Sequence, residues 1–193
     1  LWDKINKVIV SNESSEIIRM FNSAFNKITG HTLDFYPEHL RNKIDAVNEL
    51  VYHNINNGVY KTGFATAQEA YDGNIKSLFC ALDSVEKILT SNRYLTGSTL
   101  TEADWRLWVT LVRYNSVYHT HFKCNLWLIE HYNNIYNFML ELYQMPNIAK
   151  TVNEAHIKRH YYASHITINP YGIVPISHKQ DWTAPHHRGK QFG

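Results

Sequence analysis

Apolar residues recur at helical spacing over most of this 193-residue chain, beginning just after Gly30. A first long helix is predicted from Pro37 to about Asn56. Its apolar face carries Leu40, Ile44, Val47, Leu50 and Val51. The run Asn56-Asn57-Gly58 is predicted to end this helix, because asparagine and glycine tolerate the left-handed conformation of a helix cap.

Two capping-box patterns predict where later helices start. Thr66 followed by Glu69 predicts a helix that continues to about Leu89. Thr101 followed by Asp104 opens a helix that is apolar over much of its surface, so we expect it to run through the middle of a helical domain. Further helices are predicted at about 135–144 and 148–162, and the residues after 166 are predicted to be irregular.

Near the start of the chain, a polar corner follows a short apolar run. Residues 7–10 are predicted to form a strand, and no partner strand is expected upstream because the sequence begins at Leu1. Glu13 and Ser14 come next, at the start of a helical pattern. A helix start presents free backbone N–H groups, here beside hydroxyls and a carboxylate. The corner is therefore a candidate site for the charged end of a small ligand, although ordinary helix capping is the alternative.

Together these patterns predict a mainly α fold in three parts. Residues 1–30 are interpreted as the end of an α/β domain, residues 31–166 as an all-α domain, and residues 167–193 as an irregular tail. The second part has the length of a complete domain.

Composition limits the partners. The formal charge of +2 leaves no basic stripe for nucleic acid, so no nucleic-acid partner is predicted. No apolar run has the length of a membrane span, so no membrane association is predicted. The two cysteines, Cys80 and Cys124, lie far apart without metal-type spacing, which favours reduced thiols and a cytoplasmic location.

The 12 histidines include two spaced pairs, His119 with His121 and His156 with His160. A metal site needs at least a third ligand and hydrogen-bonded support, and the sequence points to neither. No metal is therefore predicted. The 13 tyrosines allow two interpretations, packing in the core or hydrogen bonding to an aromatic ligand.

Several motifs resemble the glutathionyl-hydroquinone reductases, which are the Xi-class glutathione transferases. They lie at 12–19, 57–65, 94–97, 100–107, 121–125, 156–162 and 169–175. The most specific are the Lys-Arg-His-Tyr-Tyr run ending at Tyr162 and the Gly-Ile-Val-Pro run ending at Pro175. The resemblance implies that residues 1–30 end a thioredoxin-like domain and that the helical domain is the C-terminal domain of such a transferase.

The resemblance also implies an activity. A family enzyme uses glutathione to release hydroquinones from glutathionyl-hydroquinones through a cysteine–glutathione mixed disulfide. It implies that Glu13 and Ser14 bind glutathione, that Tyr60 is the proton donor, and that Tyr118 and Tyr161 lower the pKa of the cysteine. Tyr114 and Tyr162 are neighbours that rank below these three. The implied partners are glutathione, a hydroquinone-type aromatic and a second copy of the chain in a homodimer.

One departure from the family pattern affects the expected activity. The family nucleophile lies in a Cys-Pro motif, and these 193 residues contain no such motif. Cys80 and Cys124 match other positions. We therefore expect an enzyme whose nucleophile lies upstream of this sequence, so that the sequence as given is inactive. The alternative is a non-catalytic, transferase-like module that serves protein association.

Overall fold

Helices form most of the computed structural model, which describes residues 1–176 and 179–193. The first helices are α1 (Ser14–Ser23), α2 (Asn26–Thr29), α3 (Arg41–Val51) and α4 (Asn57–Gly63). Next come α5 (Gln68–Ser91), α6 (Glu102–Arg113) and α7 (His119–His121). The last are α8 (Asn133–Tyr143), α9 (Glu154–Ser164) and α10 (Arg188–Phe192). The predicted mainly α fold is confirmed.

A two-stranded hairpin precedes α1. Strand β1 (Trp2–Asp3) pairs antiparallel with β2 (Val8–Ile9), so the expectation that this strand has no partner upstream was wrong. The pairing follows from a tight turn in which the Asp3 carboxylate accepts the N–H groups of Ile5 and Asn6 at 2.8 and 3.0 Å. Such side-chain-to-backbone bonds stabilise a turn locally.

The predicted helix end at Asn56-Asn57-Gly58 was wrong. Helix α3 passes through a π-helical turn (Tyr52–Asn56) directly into α4, and Asn57 keeps a right-handed backbone. Gly58 faces Leu78 on α5, where an added Cβ would lie 3.6 Å from the Leu78 side chain. Tertiary packing against α5 therefore overrides the local tendency of Asn-Gly to end a helix.

The two predicted capping boxes have different outcomes. At α6, both halves of the box are present, and the Thr101 N–H donates to Asp104 at 2.8 Å. At α5, Ala67 is the capping residue and no side-chain bond forms there, so the Thr66–Glu69 box was wrong. Helix α6 is central as predicted, since Ala103, Leu107 and Leu111 are almost fully buried in the core.

The last residues lie against the helical domain. The described residues after α9 are irregular except for α10. Arg188 is fully buried and donates from Nε to Glu141 on α8 at 2.9 Å. Trp182 stacks on Tyr143 with ring centroids 4.3 Å apart. Within the described ranges, none of the helices has the length and apolar character needed to cross a bilayer.

Candidate active site

A cavity of about 1030 Å³ lies where α1 and α2 meet the helical domain. Phe21 and Phe25 line it from the first helices, and Trp105 and Val109 line it from α6. These side chains make the cavity largely apolar, and such a volume suits a small aromatic ligand. The phenol of Tyr60 also reaches its surface.

Three tyrosines from separate helical segments line this cavity, and their hydroxyls meet. The Tyr161 hydroxyl lies 2.7 Å from that of Tyr60 and 2.7 Å from that of Tyr118. Tyr118 and Tyr161 are buried, whereas Tyr60 is 38% exposed. The structure therefore brings together the three phenols named from the sequence, with Tyr161 between the other two.

Burial keeps two of these phenols protonated. Desolvation raises the pKa of Tyr118 far above its usual range, and the neighbouring Tyr161 adds to the effect. Desolvation also raises the pKa of Tyr161 to about 12, although the hydrogen bond with Tyr118 acts in the opposite direction. Both groups are therefore hydroxyl donors at neutral pH.

A buried ring supports the three tyrosines. Phe122 stacks on Tyr118 with centroids 5.5 Å apart and packs against Tyr60 at 5.1 Å. Gly63 at the end of α4 makes room for it, since an added Cβ there would lie 2.3 Å from the Phe122 ring. Phe122 lies in the 121–125 run that resembles the family, but nothing in that run predicts that its ring packs against the tyrosines.

The polar corner lies at the opening of α1, and the structure separates its two candidate residues. Ser14 lines the cavity, whereas Glu13 is exposed and does not. The Glu13 side chain makes no capping bond, so ordinary capping does not account for it. Ser11 orders the corner instead, since its hydroxyl accepts from the Glu13 N–H at 3.1 Å and donates to Glu16 at 2.8 Å.

Arg19 fixes α1 to the helical domain. It contacts Asp45 on α3 at 2.6 Å and Glu102 on α6 at 2.9 Å, and it stacks over the Tyr36 ring at 3.8 Å. The Glu102 side chain is 4% exposed and also accepts from Asn48 at 2.9 Å. Hydrogen bonds to Glu102 raise the pKa of Arg19 above its usual value. This network holds the Ser14 end of the cavity in place, and no local pattern in the sequence predicts it.

Tyr114 and Tyr162, which ranked lower, lie outside the hydroxyl cluster. The Tyr114 hydroxyl donates to the Cys124 carbonyl at 3.0 Å, and the Tyr162 hydroxyl donates to the Ser116 carbonyl at 3.2 Å. Both phenols thus satisfy buried backbone carbonyls, which is a structural task.

Neither cysteine lines the cavity. Cys124 is buried, and desolvation raises its pKa to about 12, so it is a poor thiolate at neutral pH. Cys80 is exposed on α5. Among residues 1–176 and 179–193, no group of three or more His, Cys, Asp or Glu side chains is placed to hold a metal ion. His121 instead pairs with His165, with 3.1 Å between Nε2 and Nδ1.

Comparison with known proteins first defines the class. Residues 68–139 match the family described as glutathione S-transferase, C-terminal domain. The glutathione-bound structure of YqjG, a glutathione transferase homologue from Escherichia coli, gives a TM-score of 0.96 at 55% identity over 99% of this chain and 62% of that chain. An Xi-class transferase from Natrialba magadii gives 0.95 at 46% identity, over 98% and 58%. The helical part is thus a glutathione transferase C-terminal domain.

Sequence relatives narrow the class to a family. Glutathionyl-hydroquinone reductase YqjG of Escherichia coli is 55% identical over 193 residues, which cover all of this chain and 59% of the relative. Glutathionyl-hydroquinone reductase PcpF of Sphingobium chlorophenolicum is 49% identical over 180 residues, covering 93% of this chain and 58% of the relative. The chain belongs to the Xi class of glutathione transferases, to which the glutathionyl-hydroquinone reductases belong. It spans 58–59% of the length of these two relatives.

Proposed function

We propose that this protein uses glutathione to release hydroquinones from glutathionyl-hydroquinones. The observation that carries the proposal is the Tyr118–Tyr161–Tyr60 hydrogen-bond chain, which ends in the wall of an apolar cavity shared with Ser14. Association with a partner protein gives no reason for three phenols to converge on a cavity, so we favour an enzyme over the association module.

Glutathione would bind at the opening of α1. The free N–H groups of the first turn and the Ser14 hydroxyl suit the carboxylate of its γ-glutamyl end, because a helix N-terminus carries partial positive charge. The exposed Glu13 carboxylate, which is not used in capping, suits the ammonium group. The rest of the glutathione tripeptide would then extend into the cavity, with its sulfur directed towards the tyrosines.

The reaction divides into two sulfur transfers. A protein thiolate attacks the sulfur of the glutathionyl-hydroquinone, forming a protein–glutathione disulfide and breaking the carbon–sulfur bond. The electron pair of that bond goes to the ring carbon, which takes a proton. A second glutathione then attacks the disulfide and leaves as glutathione disulfide, and the thiolate is restored.

Tyr60 is the residue placed to give the proton to the ring. It is the most exposed of the three phenols and lies at the end of the hydrogen-bond chain that faces the cavity. If Tyr118 donates to Tyr161 and Tyr161 donates to Tyr60, the Tyr60 proton is free to point at the ligand. To lower the pKa of a nearby cysteine, as the family resemblance implies for Tyr118 and Tyr161, a buried hydroxyl would turn its single proton from this hydrogen-bond chain towards the thiolate.

The thiolate has to come from outside these 193 residues, because Cys124 is buried and Cys80 does not line the cavity. We propose that it belongs to a Cys-Pro motif elsewhere in the protein, as the family resemblance implies. These residues alone would then bind ligand without turning it over. Homodimer formation stays a prediction from the same resemblance, and a cytoplasmic location stays a prediction from the two widely separated cysteines.

The test is a product assay with the full-length protein. We expect that a glutathionyl-hydroquinone and glutathione give free hydroquinone and glutathione disulfide in equal amounts. Replacement of the cysteine of the Cys-Pro motif should abolish both products, whereas Cys80→Ser should leave them unchanged. No release from any glutathionyl aryl thioether would contradict the proposed function.

A further inference from the structure

Arg113, the last residue of α6, lines the same cavity as the three tyrosines and is half-buried. Its Nη1 donates to the Val109 carbonyl one turn earlier, which holds the side chain along the helix. In the part of the chain that the structure describes, its Nε and Nη2 groups form no hydrogen bond. Two donors of a fixed, planar group therefore remain available to a ligand.

The charge of Arg113 also has no partner among the residues that the structure describes. The other arginine of the cavity wall, Arg106, lies 3.8 Å from Glu102, whereas no described carboxylate lies within ion-pair distance of Arg113. A half-buried guanidinium in the wall of a largely apolar cavity has lost part of its hydration. A ligand anion would restore that interaction in a setting where water competes weakly.

Arg113 lies near the three tyrosines of the cavity wall, where the aromatic ring of the substrate is proposed to bind. Its charge acts on Tyr161, the central phenol, in the direction that opposes the effect of burial on the pKa. Arg113 directly precedes the π-helical turn (Tyr114–Tyr118) that carries Tyr118, whereas Ser14, where the γ-glutamyl end of glutathione is proposed to bind, opens α1. An anion held by Arg113 would therefore sit next to the ring that Tyr60 protonates.

We propose that Arg113 binds an anionic substituent of the aromatic substrate, so that the preferred substrates are hydroquinones carrying a carboxylate. The inference rests on the proposed function, which places an aromatic ring at Tyr60. A guanidinium binds a carboxylate through two parallel N–H groups, and a neutral ester lacks that charge. Acid and ester of otherwise equal shape should therefore bind differently.

The experiment compares 2,5-dihydroxybenzoate with its methyl ester by titration calorimetry on the full-length protein. The acid should bind about tenfold more tightly than the ester, as one charge-assisted interaction allows. Arg113→Met should remove this preference, and Arg113→Lys should keep part of it. Arg159→Met is the matched control, because Arg159 is exposed on α9 away from the cavity, and it should keep the full preference.

Equal binding of acid and ester, or a preference that survives Arg113→Met, would overturn the inference. A third titration uses glutathione and its glycine-amidated form. If Arg113→Met removes the difference between these two and leaves the benzoate preference intact, Arg113 serves the glycine carboxylate and the inference is again overturned. Because binding is measured without turnover, a preference for the acid without hydroquinone release would contradict only the proposed function.

Discussion

The guanidinium of Arg19 lies 2.9 Å from the carboxylate of Glu102, 83 positions further along the chain. This contact joins the first helix to the central helix of the all-α domain. The Glu102 side chain is 4% exposed, so its charge depends on partners rather than on water. The cavity lies between these two helices, and its shape therefore depends on this ion pair.

Arg19→Met is expected to lower the free energy of unfolding by about 1–3 kcal/mol, because Glu102 keeps Asn48 and Arg106 as partners but loses its closest cation. Affinity for glutathione should also fall, because α1 loses its anchor. Urea unfolding and calorimetry measure the two effects. Lys76→Met, an exposed site on α5, is the control. Unchanged stability in the Arg19 variant would argue against an anchoring role.

Gly63→Ala tests the packing beneath the tyrosines. The new Cβ would lie 2.3 Å from the Phe122 ring, so either the ring or α4 has to move. We expect a loss of about 1–3 kcal/mol in urea unfolding. Gly73→Ala on α5 meets nothing within 4 Å and should stabilise the protein by about 0.5–1 kcal/mol. Similar effects of the two substitutions would show that Phe122 is loosely packed.

Tyr161→Phe removes the middle hydroxyl of the chain. It leaves the buried Tyr118 hydroxyl without the partner 2.7 Å away, which should cost about 1–3 kcal/mol of stability. It also separates Tyr118 from Tyr60, so turnover should fall even in fully folded enzyme. Circular dichroism at the assay temperature distinguishes the two effects. Full turnover in the folded variant would mean that the chain is not needed for catalysis.

The His121–His165 pair predicts a dependence of stability on acid pH. Burial lowers the pKa of His121 from 6.5 to about 4, and the charges of His165 and Lys123 add to this. Burial and His160 likewise lower the pKa of His165. A lowered histidine pKa means that the unfolded chain binds more protons between pH 4 and 6.5. The stabilising contribution is therefore complete above pH 6.5 and is lost as the pH falls towards 4.

His121→Gln should flatten this dependence, as measured by urea midpoints at intervals from pH 4 to 7. Burial raises the pKa of Asp104 to about 6, so Asp104 acts in the opposite direction over part of the same range. The comparison is therefore the difference between wild type and variant at each pH. A constant difference would contradict the lowered pKa of His121.

Features set by neighbouring residues could be predicted from the sequence. The Thr101–Asp104 capping box is local, and the structure contains it. The helix through Asn56 and Gly58 could not be predicted, because the packing of Gly58 on Leu78 decides it. Tertiary contacts of this kind leave no trace in a short window of sequence.

The candidate site likewise combines residues that could be named from the sequence with residues that could not. No spacing rule connects Tyr60, Tyr118 and Tyr161, which are named from the family resemblance. In the structure, the Tyr161 hydroxyl lies 2.7 Å from each of the other two. The sequence does not indicate the roles of Arg19 and Arg113, because the surroundings of each side chain are formed by helices far apart in sequence.

The proton-donor role of Tyr60 is tested most directly by the rate of hydroquinone release in full-length protein carrying Tyr60→Phe, measured in single turnover with glutathione present. We expect a decrease of about 100-fold, because the ring loses its proton donor. Tyr171→Phe, at an 88% exposed tyrosine of the tail, should retain the wild-type rate. A Tyr60→Phe rate equal to that of the control would contradict the assignment of Tyr60 as the proton donor.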